Sequence, residues 1–252
     1  MSFSALISGP TPVRRGGSGL MVCALFGAAC ATPDVTIRGR VFAAHDSEVG
    51  LADVSVRFAG SPTDPYTTVT ADADGVFSAL VPPGSALHVD IEGQGTIPVS
   101  FSGSSGYDEV FEVPDGVFFG VPPEEEAAWR ADFAGCPRAD EPGMVFGVVR
   151  LQLSADPQND GGNPIELNGF ALVEDQDGVS YDACYLDDDG VYAPEARVTG
   201  ESGRFVVFGV EGGPLRVVIG RRLTDTASVI TESLVYVPSG GAVSYQPAIV
   251  PL

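Results

Sequence analysis

The sequence predicts an all-β chain: two tandem antiparallel β-sandwich domains joined by a linker that carries one short helix. Three observations predict it. The 252 residues include 32 Gly and 20 Pro yet are 44% apolar, which suits short strands joined by turns around packed cores. Apolar and polar residues alternate in runs of five to nine, broken by turn residues at the interval of a sandwich. One unit, "TVTADADGVFSALVPPGSALHVDIEG" (68–93), has a later counterpart in "RVTGESGRFVVFGVEGGPLRVVIG" (197–220).

Taken in order, residues 1–29 read as an export signal. Arg14 and Arg15 precede "LMVCALFGAAC" (Leu20–Cys30), and no acid occurs before them. An apolar run of about ten residues is too short to cross a bilayer. The Arg pair lacks the apolar residues expected just after a twin-arginine signal. Removing residues 1–29 takes away two Arg and no acid, so the net charge moves from −21 to −23.

The first sandwich is assigned to 35–116. "VTIRGRVFA", "ADVSVRFAG", "GVFSALV", "ALHVDIEG", "TIPVSFSG" and "DEVFEVP" supply its strands. In the second of these Val54, Val56 and Phe58 share one face, and Asp53, Ser55 and Arg57 the other. At 72–84 Asp72 favours a turn, Gly75 permits positive φ, Phe77 points inward, and Pro82 and Pro83 stop the strand. Residues 117–142 form the linker. Pro123 and three following Glu mark a helix start, and Trp129 and Phe133 share one face. The second sandwich, a divergent copy, is assigned to 143–252. Gly75 and Phe77 match Gly203 and Phe205, and "LHVDI" matches "LRVVI".

Cysteine usage agrees with export. Cys136 and Cys184 form the one pair left beyond Cys23 and Cys30, most simply a disulfide in an oxidising compartment. Closing a loop of this length stabilises by ~3–4 kcal/mol. Two buried thiols or a metal pair are the alternatives.

Several chemistries are excluded. All 13 basic residues are Arg, so there is no P-loop lysine, no Schiff base and no Ser-Lys pair. The negative field disfavours nucleic acid. His45 and His88 have no partner at metal-ligating spacing, and no G-x-S-x-G elbow occurs. The expectation is a non-enzyme without a cofactor. Calcium is the alternative. "DPQNDG" (Asp156–Gly161) resembles half a calcium loop, and "DADG", "DQDG" and "DDDG" each place two or more acids before a glycine. Asp187, Asp188 and Asp189 are the best metal candidates, although Asp-Gly is also common turn chemistry. Trp129 could stack a sugar ring or plug a domain junction.

Two resemblances follow from quoted residues. "GAAC" (Gly27–Cys30) resembles a bacterial lipobox, with Gly27 where that motif usually has Leu; the resemblance implies an acylated Cys30 as mature N-terminus. "ACA" (Ala29–Ala31) offers an ordinary signal-peptidase site instead. "GRV" (39–41), "GLADVSV" (50–56), "DADGVF" (72–77) and "VPPG" (81–84) resemble the carboxypeptidase regulatory-like module. Ala71 stands where that module usually has Thr, and the second copy keeps Thr199 but has Gly200 in place of Asp. This resemblance implies a transthyretin-type β-sandwich and no catalytic part. The expected function is a non-catalytic, exported cell-envelope lipoprotein that acts as a structural or binding module for a protein or glycan. It would be held to the membrane, most simply the outer membrane, by a lipid anchor. A secreted soluble protein, a calcium-stabilised adhesion element and an accessory subunit of an outer-membrane transporter are the alternatives.

Overall fold

A computed structural model of the chain describes residues 33–44, 47–61, 64–151, 168–187, 189–222, 228–245 and 248–249. The fold is all-β, with one helix among the described residues. The first half contains β1 (Val35–Phe42), β2 (Ser55–Ser61), β3 (Asp64–Thr70), β4 (Val76–Val81), β5 (Ala86–Gly93), β6 (Thr96–Ser104), β7 (Val110–Glu112) and β8 (Phe118–Phe119). Helix α1 (Pro123–Asp132) follows. The second half contains β9 (Met144–Val148), β10 (Arg150–Leu151), β11 (Gly169–Asp175), β12 (Ser180–Tyr181), β13 (Cys184–Tyr185), β14 (Arg204–Phe208), β15 (Gly213–Arg222), β16 (Ser228–Val237), β17 (Ala242–Tyr245) and β18 (Ala248–Ile249).

In β4 the alternation read in the sequence is the burial pattern, whereas β5 is buried on both faces from Leu87 to Ile91. Along β4, Phe77, Ala79 and Val81 are buried while the residues between them face outward. A pleated strand sends successive side chains to opposite faces, so one face can build a core while the other meets solvent. Phe58, Phe77, Phe101 and Phe118 meet at the centre of the first core, with ring centroids 5.1–6.4 Å apart. Phe205, Val217 and Ile219 are buried in the second core, where Phe77, Val89 and Ile91 stand in the first.

The duplication extends to topology. The first half has the orders β4-β1-β7 and β3-β2-β5-β6; the second has β14-β9-β17 and β12-β11-β15-β16. Register repeats as well. Gly39 stands opposite Phe77, and Gly147 opposite Phe205. Val41 N–H donates to Gly75 O at 2.9 Å, and Val149 N–H to Gly203 O at 2.8 Å. The sheets are mixed rather than wholly antiparallel: β7 runs parallel to β1, and β17 parallel to β9. The strand after the last antiparallel hairpin of each half crosses to the opposite sheet and lies beside the first strand.

The two halves are welded. Strand β17 also pairs in parallel with β6, with Ala242 opposite Val99 and Val243 opposite Ser100. One sheet of eight strands therefore runs through both halves in the order β13-β14-β9-β17-β6-β5-β2-β3. Helix α1 covers this sheet on the side of Phe146 and Phe208. It begins at Pro123, with Glu124, Glu125 and Glu126 in its positive first turn. Trp129 packs against the first core and, with Phe133, against a smaller cluster around Phe208. The junction role expected of Trp129 is what the packing shows.

Candidate functional site

Cys136 and Cys184 are bonded, with Cα atoms 6.1 Å apart and a sequence separation of 48. The disulfide ties the turn after α1 to β13, an edge strand of two residues. Beyond β13 the chain reverses at Asp187. Its Oδ1 accepts from the N–H of Asp189 at 3.0 Å and of Val191 at 2.9 Å. The chain returns to place Tyr192 opposite Leu186.

This turn occurs three times among the described residues. Asp72 Oδ1 accepts from Asp74 and Val76, and Asp175 Oδ1 from Asp177 and Val179, at 2.8–2.9 Å. Each turn has a glycine at φ +77 to +80° in fourth place. An aspartate that accepts its own backbone two and four residues on is a turn-former. In these three turns one carboxylate oxygen is engaged by backbone donors. Among the described residues no group of three or more His, Cys, Asp or Glu is placed to hold a metal ion. Asp188, "DPQNDG", Cys30 and His45 lie outside the described residues.

The returning chain encloses a cavity of about 450 Å³ beside the disulfide. Phe170, Tyr181, Tyr185 and Tyr192 line it, with Asp182 and Arg197 also on its wall. The buried Tyr185 hydroxyl accepts from the N–H of Ala171 at 3.0 Å. That bond fixes its ring against β11. Tyr181 donates from its hydroxyl to Asp175 Oδ2 at 3.2 Å, and the Arg138 guanidinium lies over its ring at 5.3 Å. Burial, with the hydrogen bond and the charge of Asp175, raises the Tyr181 phenol above its ordinary value. Arg197 donates from Nη1 to the carbonyls of Pro194 at 3.1 Å and Ala196 at 2.9 Å, which orders its side chain. The cavity thus has aromatic walls, an acid and an oriented guanidinium. That is a binding chemistry: apolar faces supply contact area and a few polar groups supply orientation. Sequence reasoning missed it, since three tyrosines on three different segments carry no local pattern.

A second cavity of about 270 Å³ lies between α1 and the long sheet, lined by Trp129, Phe146, Leu186 and Arg204 among others. Trp129 and Phe146 pack at 4.5 Å between centroids. These rings are half-buried parts of the junction.

His88 belongs to a buried polar cluster on the face of the first half that points away from its core. Its Nε2 lies 2.8 Å from Asp90 Oδ1, a close contact without an aligned hydrogen bond. Arg57 and Ser100 donate to the same carboxylate. The His88 ring meets Tyr236 of β16 edge-on at 5.3 Å. Burial works to raise the Asp90 pKa, but His88, Ser100 and Arg57 outweigh it and hold the carboxyl below its ordinary value. The Ser100 hydroxyl is turned to Asp90, so His88 does not face it as a base would face a nucleophile. Neither cavity described above includes this cluster. What it does is join β2, β5 and β6 to β16 across the halves.

No family model matches the chain, and no curated protein matches it. Solved structures with a loose likeness include the Bacillus anthracis TIE protein, at 9% identity and a TM-score of 0.27. The likeness covers 86% of this chain and 34% of that one, so the chain spans about a third of its length. The shaft pilin spaA from Lactobacillus rhamnosus GG has 11% identity, a TM-score of 0.25, and coverage of 88% and 99%. GBS52, the minor pilin of Streptococcus agalactiae, has 10% identity, a TM-score of 0.29, and coverage of 86% and 96%. At such identities and scores no partner or assembly transfers to this chain.

Proposed function

We propose that the protein is a non-catalytic binding module of the cell envelope, exported and held to a membrane through acylated Cys30. Its welded sandwiches would present the tyrosine cavity to a saccharide. The observation that carries the binding role is the cavity itself. The half-buried Tyr192 offers a ring face for the C–H face of a sugar, Tyr181 and Tyr185 form the buried floor, and Asp182 and Arg197 offer polar groups for its hydroxyls. The disulfide supports export, since such bonds persist in oxidising compartments. The "GAAC" stretch supports the anchor.

A glycan array probed with the protein tests the reading. Binding that is lost in Tyr192→Ala and weakened in Arg197→Ala is the expected result. No saccharide retained, or binding indifferent to both substitutions, sinks it. Capture of a protein ligand through the same residues would keep the cavity and replace the ligand class.

A further inference from the structure

The first described strand begins at Val35, five residues after Cys30. Five residues reach at most about 17 Å when fully extended. An acylated Cys30 therefore keeps the Val35 end of the first sandwich close to the lipid headgroups, while β8, which leads into α1, pairs with the opposite end of β1.

Three exposed apolar side chains, Leu80, Tyr107 and Val110, lie at that end, while Val49 and Val76 are exposed at the other. Thr36 of β1 stands opposite both Leu80 of β4 and Val110 of β7, so Leu80, Thr36 and Val110 form a row across the outer face of this sheet. Leu80 is 56% exposed and Val110 40%. Beside the row, the segments 82–85 and 105–109 are tied together. Gly84 N–H donates to Gly106 O at 2.9 Å, and Ser105 N–H to Ser85 O at 2.9 Å. Tyr107 lies over Gly84, where an added Cβ would come within 2.4 Å of its ring. Its side chain is 81% exposed, the most exposed large apolar residue described. Nothing in the first core accounts for a Tyr, a Leu and a Val turned outward at one end. A tyrosine is suited to the boundary between headgroups and acyl chains, where its ring is buried and its hydroxyl stays wet.

We propose that this end of the first sandwich is a membrane-contact surface, with Tyr107, Leu80 and Val110 seated in a zwitterionic phospholipid bilayer at headgroup depth. The inference rests on the reading that Cys30 is the anchored residue. Asp108 and Glu109 flank Tyr107, and both are exposed. They set the lipid preference: a neutral headgroup layer tolerates them and an anionic one repels them.

The test uses the chain from Cys30 to Leu252, coupled through the Cys30 thiol to a maleimide lipid in phosphatidylcholine vesicles that carry brominated acyl chains. Tyr107→Trp is compared with Val49→Trp, at an exposed position of the opposite end (65%), and with the parent, whose fluorescence comes from Trp129. The expected result is a blue shift and a loss of emission for Tyr107→Trp only, reduced by Leu80→Ser with Val110→Ser and by adding phosphatidylglycerol. Equal behaviour of the two tryptophan variants, or quenching confined to Val49→Trp, overturns the proposal. Mass spectrometry of the mature N-terminus in the producing cell tests the anchor separately. An unacylated Cys30 sinks that reading without altering the vesicle result.

Discussion

Asp72, Asp175 and Asp187 show what a single side chain does here. Each carboxylate accepts two backbone N–H groups in an exposed turn, much as a helix cap does. Asp72→Ala is expected to cost about 1 kcal/mol, read as a shift of the urea midpoint. An unchanged midpoint would show that the turn forms without its carboxylate. Gly75→Ala costs more, since φ is +80° and the new Cβ would meet Val41 O at 2.5 Å. If these aspartates act as turn-formers alone, chelator leaves the thermal midpoint where it is; a fall on chelation would favour the calcium-stabilised alternative. Asp90 gives the pH prediction. Its folded pKa lies below the ordinary 3.8, so its contribution is complete above that value and is lost as pH falls below it. Asp90→Asn should cost about 3 kcal/mol at neutral pH and flatten the acid limb of the stability curve. An unaltered limb would mean that other carboxylates set it. The Asp-Gly turns were legible in the sequence because the chemistry is local. The Asp90 cluster was not, because Arg57, His88 and Ser100 come from three strands and meet only through register.

At the scale of elements, the strands with clean alternation, β1, β2, β4, β5 and β6, were readable before any coordinates. So was α1, from Pro123 and the acids after it. Strand β3 was not. "DPYTTVT" has no buried residue and reads as polar loop, yet it pairs with β2 at the sheet's edge, where one hydrogen-bonded neighbour suffices. Strand β13 has two residues and is held by the disulfide rather than by a pattern. Replacing both Cys136 and Cys184 by Ser should lower stability by about 3–4 kcal/mol, from the loop they close. It should also weaken any ligand of the tyrosine cavity, because Cys184 lies on the cavity wall. Full stability after reduction would contradict the first part and unchanged ligand affinity the second. Trp129→Ala is expected to cost about 3 kcal/mol in a denaturant melt, since the ring packs on both the first core and the Phe208 cluster. A negligible loss would mean that α1 is held by Phe133 alone.

The whole molecule is more than two beads on a string. The repeat "DGVF…LHVDI" and "SGRF…LRVVI" announced two copies, and their strand orders agree. The sequence held no sign of the weld. Strand β17 was unread because four residues, Ala242–Tyr245, carry too little pattern to distinguish a strand from a turn flank. Its place is set by partners more than 90 residues away in sequence: β9 on one side and β6 on the other. Such a bridge makes separate unfolding of the halves costly, because loss of either half strips β17 of one hydrogen-bonded neighbour and exposes Val99 and Val243, both buried. Hydrogen exchange at Ala242 and Val243 tests this most directly. The account predicts that both amides exchange only when β1 and β4 of the first core also open, at the rate of global unfolding. Exchange at these two positions while the first core remains protected would contradict it.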